Sequence, residues 1–300
     1  MRIGYIGLGN MGGALARRLA LAGDLQVYDR DPAAVQRMVD SGGTARASAA
    51  DLASAVDIVI LCMPTSDHVR EVIFGTDGIA ASAKPGLFII DQTTGDPKAT
   101  RAMGTELSSR GVVLVDAPVS GGAKGAEAGT IAIMVGATHE QYAFVQPILS
   151  TISQRVFHAG GLGAGHVMKL VNNLLSGAQR LLALEGMALA VKNGVEPETA
   201  LEILLAGGAR NAYLERIMGA EVLTGRLNVG FTLGLAHKDI RLACQLGSDS
   251  GVPTFYAGLT RELYQICINE MGATAEVDTA ALVVDRLAGT RVVPPNVSAG

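Results

Sequence analysis

Several things are missing from this chain of 300 residues, and each absence narrows what it can be. Cysteine is scarce: Cys62, Cys244 and Cys267 show no metal-like spacing and cannot close an even disulfide framework. A disulfide-stapled scaffold is excluded, and a reducing compartment, the cytoplasm, is expected. No cluster of Lys and Arg occurs, and the net charge is −4, so nucleic acid and acidic membrane surfaces are poor partners. The first residues, Met1-Arg2-Ile3-Gly4-Tyr5-Ile6-Gly7, run straight into a strand and turn and lack the pattern of a signal peptide. The most hydrophobic stretch, Leu170 to Val191, is interrupted by Asn172, Asn173, Gln179, Arg180 and Glu185, which argues against a membrane span. No fixed-period repeat is present.

What is abundant is apolar surface and glycine: 49% of residues are hydrophobic, 17% charged, and 38 are Gly. That composition supports a large core, many tight turns and one or two domains. The first half alternates short apolar runs with helical patterns. Strands are predicted at Arg2–Ile6, Gln26–Tyr28, Ile58–Cys62, Phe88–Asp91, Val112–Asp116, Ile131–Val135 and Arg155–His158. Helices are predicted at Met11–Ala22, Ala33–Asp40, Pro97–Arg110 and His139–Thr151. Alternation implies parallel pairing with right-handed crossovers, and the continuous apolar runs imply strands covered on both faces. After Gly163 only helical patterns remain, at Gly165–Lys192, Pro197–Ala206, Asn211–Met218, Asp239–Ser250, Pro253–Glu270 and Asp278–Leu287. The tail Thr290–Gly300 reads as irregular. The expected organisation is an α/β domain over 1–162 with a doubly wound, mostly parallel sheet, then an all-helical domain over 163–300 that begins with a long helix.

Gly7-Leu8-Gly9-Asn10-Met11-Gly12 places G-x-G-x-x-G directly between a strand and a helix. Gly7 suits the tight turn, Gly9 the close approach of a pyrophosphate, and Gly12 the packing of helix on strand. The helix N-terminus offers free N–H groups to the phosphates. Asp29 ends the second strand, where an acid bonds ribose hydroxyls and repels a 2′-phosphate; this favours NAD over NADP. Arg30 pulls the other way, since a guanidinium there can stack on adenine or meet a phosphate. Met63-Pro64 closes the third strand at the edge where a cofactor would lie.

Lys169 heads the long apolar helix, with Asn173 one turn on and Ser176 and Arg180 extending the same stripe. A lysine among apolar neighbours is costly unless it has a partner or a task, and burial favours the neutral amine that can accept a proton. The plain alternative is the wet face of a helix. Two loops at the carboxyl edge of the sheet add to the lysine. Asp116-Ala117-Pro118-Val119-Ser120-Gly121-Gly122 supplies a hydroxyl and a small nest of N–H groups suited to a carboxylate, and Asp91-Gln92-Thr93-Thr94 brings Thr94 to the same edge.

Together these stretches resemble the β-hydroxyacid dehydrogenase family, which includes 3-hydroxyisobutyrate dehydrogenase and tartronate semialdehyde reductase. Four motifs match in order: the N-terminal Gly-rich loop, Asp116–Gly122 continued by Gly125–Thr130, Gly163–Asn173, and Lys238-Asp239. The resemblance implies a Rossmann-type first domain and an NAD(P)-dependent oxidoreductase acting on a small 3-hydroxy carboxylic acid. It implies that Lys169 is the catalytic lysine and Asn173 its substrate-orienting partner. Ser120, Gly121 and Gly122 would bind the carboxylate, Thr94 would touch the nicotinamide side or the substrate, and Lys238 would reach cofactor and substrate. Asp239 would be structural, holding its helix or Lys238. The family also implies a homodimer or homotetramer built through the helical domain. Tartronate semialdehyde, threonate and β-hydroxy amino acids are alternative substrates. An imine reductase, which usually lacks the lysine, and a catalytically silent dinucleotide-binding scaffold are more remote readings.

Overall fold

The computed structural model describes residues 1–295; the end of the tail, 296–300, lies outside the described residues. The chain divides into two compact units, Met1–Lys169 and Leu170–Gly300.

In the first unit nine strands form one sheet. They are β1 (Ile3–Ile6), β2 (Leu25–Tyr28), β3 (Thr44–Ala45), β4 (Ile58–Leu61), β5 (Phe88–Asp91), β6 (Val113–Asp116), β7 (Val119–Ser120), β8 (Ala132–Gly136) and β9 (Val156–Gly160). Their order is β3-β2-β1-β4-β5-β6-β8-β7, with β9 also pairing β8. β1 through β6 pair in parallel, which is the doubly wound arrangement the alternation predicts. The parallel rule fails at β8, which runs antiparallel to β6 and β7. Between β7 and β8 lies only α6 (Gly122–Glu127), six residues long and too short for a crossover over the sheet.

The other helices of this unit are α1 (Asn10–Ala20), α2 (Pro32–Val39), α3 (Ala49–Ala55), α4 (Ser66–Phe74), α5 (Pro97–Ser108) and α7 (His139–Ile152). Short polar side chains start most of them. Asp31 accepts the Ala33 amide at α2, Asp96 the Lys98 amide at α5, and Thr138 forms a reciprocal capping box with Gln141 at α7. Because both faces are covered, the central strands are largely apolar, and β5 and β6 close on the buried carboxylates of Asp91 and Asp116. In β4, Ile58 and Ile60 join one core with α1 and α7, while Val59 and Leu61 join a second core with α3, α4 and α5.

Helix α8 (Ala164–Lys192) begins in the first unit and continues into the second. Among the described helices it alone is long and apolar enough to cross a bilayer by length and composition. Its later turns bury Leu181, Leu184 and Met187 in the core of the second unit. That core also takes residues of α9 (Pro197–Ala206), α10 (Leu233–Ser250), α11 (Phe255–Met271) and α12 (Ala280–Ala288). Two departures from the predicted helices occur. The segment expected to be helical over Asn211–Met218 is a π-helix over Leu214–Val222. Helix α10 starts six residues before Asp239, where Thr232 accepts the Leu235 amide as its cap. The polar stripe of α8 divides in the structure. Ser176 is exposed, but Arg180 is not on a wet face: Nε donates to Asp278 at 2.9 Å, and the guanidinium lies 5.1 Å from the centre of the Tyr213 ring.

Candidate active site

The Gly-rich loop is built as its glycines require. Gly7 follows β1 with φ +92°, and a Cβ there would stand 2.4 Å from the Cys62 carbonyl oxygen. A Cβ on Gly12 would stand 1.9 Å from the Gly7 oxygen, so the first turn of α1 packs on the loop only without a side chain. Gly9 is different: a Cβ there would meet nothing within 4 Å. Gly9 is the N-cap of α1 and gives it no side-chain cap. The first-turn amides, beginning at Asn10 and Met11, therefore face an open cradle with the partial positive charge of the helix end. These residues fit the pyrophosphate of a dinucleotide.

At the end of β2 the Leu8 N–H donates to Asp29 Oδ2 at 2.5 Å, and the Asp31 N–H donates to Asp29 Oδ1 at 2.8 Å. The acid read as a ribose ligand thus also stitches the Gly-rich loop to the neighbouring strand. Each oxygen keeps a further lone pair. Arg30 points to α4 and pairs with Glu71 at 2.5 Å on the surface. Met63 closes β4; its N–H donates to Thr93 Oγ1 at 2.9 Å, joining the ends of β4 and β5 beside half-buried Thr94. Pro64 is exposed next to it.

Further along the same unit, Ser120 ends β7, and Gly121 and Gly122 take φ +145° and +70°. Both angles lie in the region that favours glycine, so the turn after Ser120 depends on these two residues. Lys169 lies on the second turn of α8 and is 8% exposed, so the solvated-face reading does not hold. Three residues earlier on α8 is a buried polar group that the sequence did not single out. His166 is fully buried, its Nδ1 3.0 Å from Thr100 Oγ1 and its Nε2 3.9 Å from Asp91 Oδ2. The Thr100 hydroxyl donates to the Asp96 carbonyl at 3.1 Å, which leaves its oxygen to accept the proton on His166 Nδ1. Asp116 is fully buried as well. Its carboxylate accepts the amides of Gly163 at 2.6 Å and His166 at 2.7 Å. Burial pushes that carboxyl up to about 6, against the opposing pull of those two amides.

In the second unit, Asn173 and Lys238 meet at one carboxylate. The Asn173 amide donates to Asp239 Oδ2 at 2.6 Å, and Lys238 Nζ lies 3.1 Å from Asp239 Oδ1. Asp239 is buried and does hold Lys238, as expected, but it holds Asn173 too. The three side chains converge from α8 and α10, 65 and 66 residues apart in sequence, which no local pattern announces.

Fold and loop together define a nicotinamide-dinucleotide-binding α/β protein, and the comparisons with known proteins sharpen that class. Residues 2–161 match the family described as the NAD binding domain of 6-phosphogluconate dehydrogenase. Residues 163–284 match the one described as NAD-binding of NADP-dependent 3-hydroxyisobutyrate dehydrogenase. The chain belongs to the β-hydroxyacid dehydrogenase family and is an NAD(P)-dependent oxidoreductase. It is 36% identical to 2-(hydroxymethyl)glutarate dehydrogenase of Eubacterium barkeri over 266 residues, 88% of each chain. It is 33% identical to the NAD-dependent L-serine dehydrogenase of Pseudomonas aeruginosa over 295 residues, 96% of this chain and 99% of that one. The solved structure of Mycobacterium tuberculosis 3-hydroxyisobutyrate dehydrogenase with L-serine superposes with a TM-score of 0.85 at 26% identity, covering 95% of this chain and 99% of that one.

Proposed function

We propose that the protein oxidises a small 3-hydroxy carboxylic acid to its aldehyde or ketone, and reverses the reaction, with Lys169 as the general acid and base. The observation that carries this reading is Lys169 itself: a buried lysine on α8, in a chain of this dehydrogenase family. The substrates named for the relatives give the reading its chemistry. 2-(Hydroxymethyl)glutarate, L-serine and 3-hydroxyisobutyrate all contain a hydroxymethyl group on the carbon that bears a carboxylate. We infer the same unit for this substrate, with the remaining substituent undefined; threonate and tartronate semialdehyde are variants on the theme.

The Gly-rich loop from Gly7 to Gly12 would hold the dinucleotide, which would supply hydride acceptance in oxidation and hydride donation in reduction. The protein supplies position and proton transfer. Uncharged Lys169 takes the hydroxyl proton as the carbonyl forms; in reverse its ammonium donates to the oxygen that becomes the hydroxyl. Ser120 and the amides of Gly121 and Gly122 hold the carboxylate, and Asn173 holds the hydroxyl. Two anchors fix the reacting carbon, which is the larger part of the expected rate gain. Thr94 would touch the nicotinamide side or the substrate, and Lys238 would reach cofactor and substrate. Asp29 favours NAD over NADP, and the acidic company of Arg30, with Glu71 at 2.5 Å, supports that preference by repelling a 2′-phosphate.

We further infer that a second copy of the chain covers the helical unit. Leu175, Leu182 and Leu189 follow one another at seven-residue intervals on α8 and are 56%, 69% and 68% exposed. Beside the last of them a groove of about 370 Å³ opens between α8, α11 and α12, lined by Leu189, Leu263, Ile266, Val283 and Leu287. Apolar surface of this extent favours association. The reading is tested by incubating the protein with 3-hydroxyisobutyrate, serine, threonate and 2-(hydroxymethyl)glutarate, with NAD and NADP in separate arms. NADH formation with at least one hydroxy acid is expected; no reduced cofactor in any arm contradicts it.

A further inference from the structure

Asp116 ends β6, shielded from solvent, and its two oxygens are used in a specific way. Oδ1 accepts the Gly163 amide and Oδ2 the His166 amide. Gly163 directly precedes α8, and His166 is the third residue of that helix. These are the two amides that a reciprocal capping box satisfies, the first at the N-cap and the second at the third helical position. Here one carboxylate, 47 residues upstream of Gly163, does both. Two glycines make the room. A Cβ on Gly136 would lie 2.2 Å from Asp116 Oδ1, and one on Gly165 would lie 2.8 Å from Oδ2 and 2.2 Å from the Met134 carbonyl oxygen. Asp116 also opens the loop that leads to Ser120, Gly121 and Gly122. The carboxylate therefore ties the root of that loop to the first turn of the helix that carries Lys169.

We propose that Asp116 is a positioning residue: its ionised carboxylate seats the first turns of α8, and Lys169 with them, on the root of the Ser120 loop, and its protonation loosens that seat. The tie is independent of the proposed role of Lys169; its effect on turnover rests on that role. The groups around the carboxylate favour a change within the working pH range. Burial pushes it toward the neutral form, the amide bonds of Gly163 and His166 and then Arg101 of α5 pull it toward the ionised form, and the balance lies at about 6. Lys169 and the imidazole of His166 belong to α8 itself, Asp91 of β5 faces that imidazole, and the untitratable Gly136 of β8 lies against the carboxylate. Above that pH both oxygens accept. The neutral acid keeps one acceptor and turns a hydroxyl toward the other amide, so one of the two bonds is lost.

Hydrogen exchange of the wild-type protein saturated with NAD, measured from pH 5 to 8 and corrected for intrinsic rates, tests the tie directly. The amides at 163–167 are expected to lose about tenfold protection below pH 6, the loss of one bond to a charged acceptor, while those of Leu181–Met187 hold theirs. Asp116→Asn places an NH₂ against a backbone N–H. It is expected to show the weakened protection at every pH, to lower kcat by about tenfold or more with the NAD Kd within about twofold, and to flatten the acid limb of the kcat profile. Protection that ignores pH in the wild type would overturn the proposal, and that measurement decides alone if the variant does not fold. So would Asp116→Asn with wild-type kcat and an unchanged acid limb, or with NAD binding lost in step with turnover. If exchange behaves as expected while Lys169→Ala keeps full turnover, the tie stands and the proposed role of Lys169 falls.

Discussion

The side-chain amide of Asn173 donates a 2.6 Å hydrogen bond to the carboxylate of Asp239, which fixes the direction in which that amide faces. Asn173 Oδ1 accepts from Asn172 Nδ2 at 3.0 Å, so a flipped amide would lose both bonds. One N–H and one lone pair of Asn173 remain for a substrate hydroxyl.

Asp239→Ala should therefore act through its neighbours. It frees Asn173 to rotate and leaves the Lys238 ammonium without its 3.1 Å partner. A bond to a charged acceptor is worth about 1.5–3 kcal/mol, or roughly 10- to 100-fold in kcat/KM. Steady-state kinetics with the best hydroxy acid, compared with NAD affinity measured by fluorescence, check this. A change confined to NAD affinity would assign Asp239 to the cofactor alone.

The second prediction concerns Asp29. Because its carboxylate holds the Leu8 amide as well as offering an acceptor to ribose, Asp29→Asn should weaken NAD and lift the penalty on NADP together. The NADP-to-NAD ratio of kcat/KM is expected to rise by about tenfold, the magnitude of one charge-assisted bond gained or lost. Glu71→Gln, which leaves Arg30 without its surface partner, should move the same ratio in the same direction by a smaller factor. Unchanged ratios in both variants would remove this corner from cofactor selection.

Asp116 makes a prediction of opposite sign for stability and for local order. Its carboxyl lies at about 6 in the folded chain, above its ordinary 3.8, because burial disfavours the charge. A carboxyl raised on folding holds its proton more tightly in the native state. Its stabilising contribution is fully present below about pH 3.8 and lost as pH rises through 6. The loss is on the order of 3 kcal/mol. Urea unfolding between pH 4 and 7 should show that slope in the wild type and a flatter one in Asp116→Asn. Equal slopes would contradict the assignment.

The Arg180–Asp278 pair is structural, and its rupture should be expensive. Asp278 is fully buried, accepts Arg180 Nε at 2.9 Å and the Tyr213 hydroxyl at 3.2 Å, and has its carboxyl raised by burial. Arg180→Met leaves that carboxylate unpaired, at a cost of about 3–5 kcal/mol. Denaturant unfolding at pH 7 measures it; a loss below 1 kcal/mol would mean that Asp278 carries a proton in the native protein.

Much of the fold was legible because its signals are local. The run Ile58–Leu61 is apolar throughout and Phe88–Asp91 is apolar up to its last residue, and Pro32 and Pro97 follow capping acids, so strands and helix starts fell near their places. The elements missed were two-residue β3 and β7, Ala-rich α3, six-residue α6, and the nine-residue α4. The direction of β8 was hidden because an apolar run reads the same either way. At the site, glycine positions and the buried lysine were readable from spacing, since turn geometry and helix faces are set within a few residues. The bonds from Asp116 to Gly163, Asp239 to Asn173 and Asp29 to Leu8 were not, because each joins residues that only the tertiary structure brings together. The partner of Arg180 was hidden for the same cause: a stripe along one helix does not reveal that Asp278 waits 98 residues later.

The most direct test of the account is the turnover of Lys169→Ala under saturating NAD and hydroxy acid, with dinucleotide affinity measured on the same preparation. Removing the proton acceptor should lower kcat by about 10²- to 10⁴-fold while NAD binds as before. Turnover near that of the wild type would contradict the assignment of acid–base chemistry to this lysine.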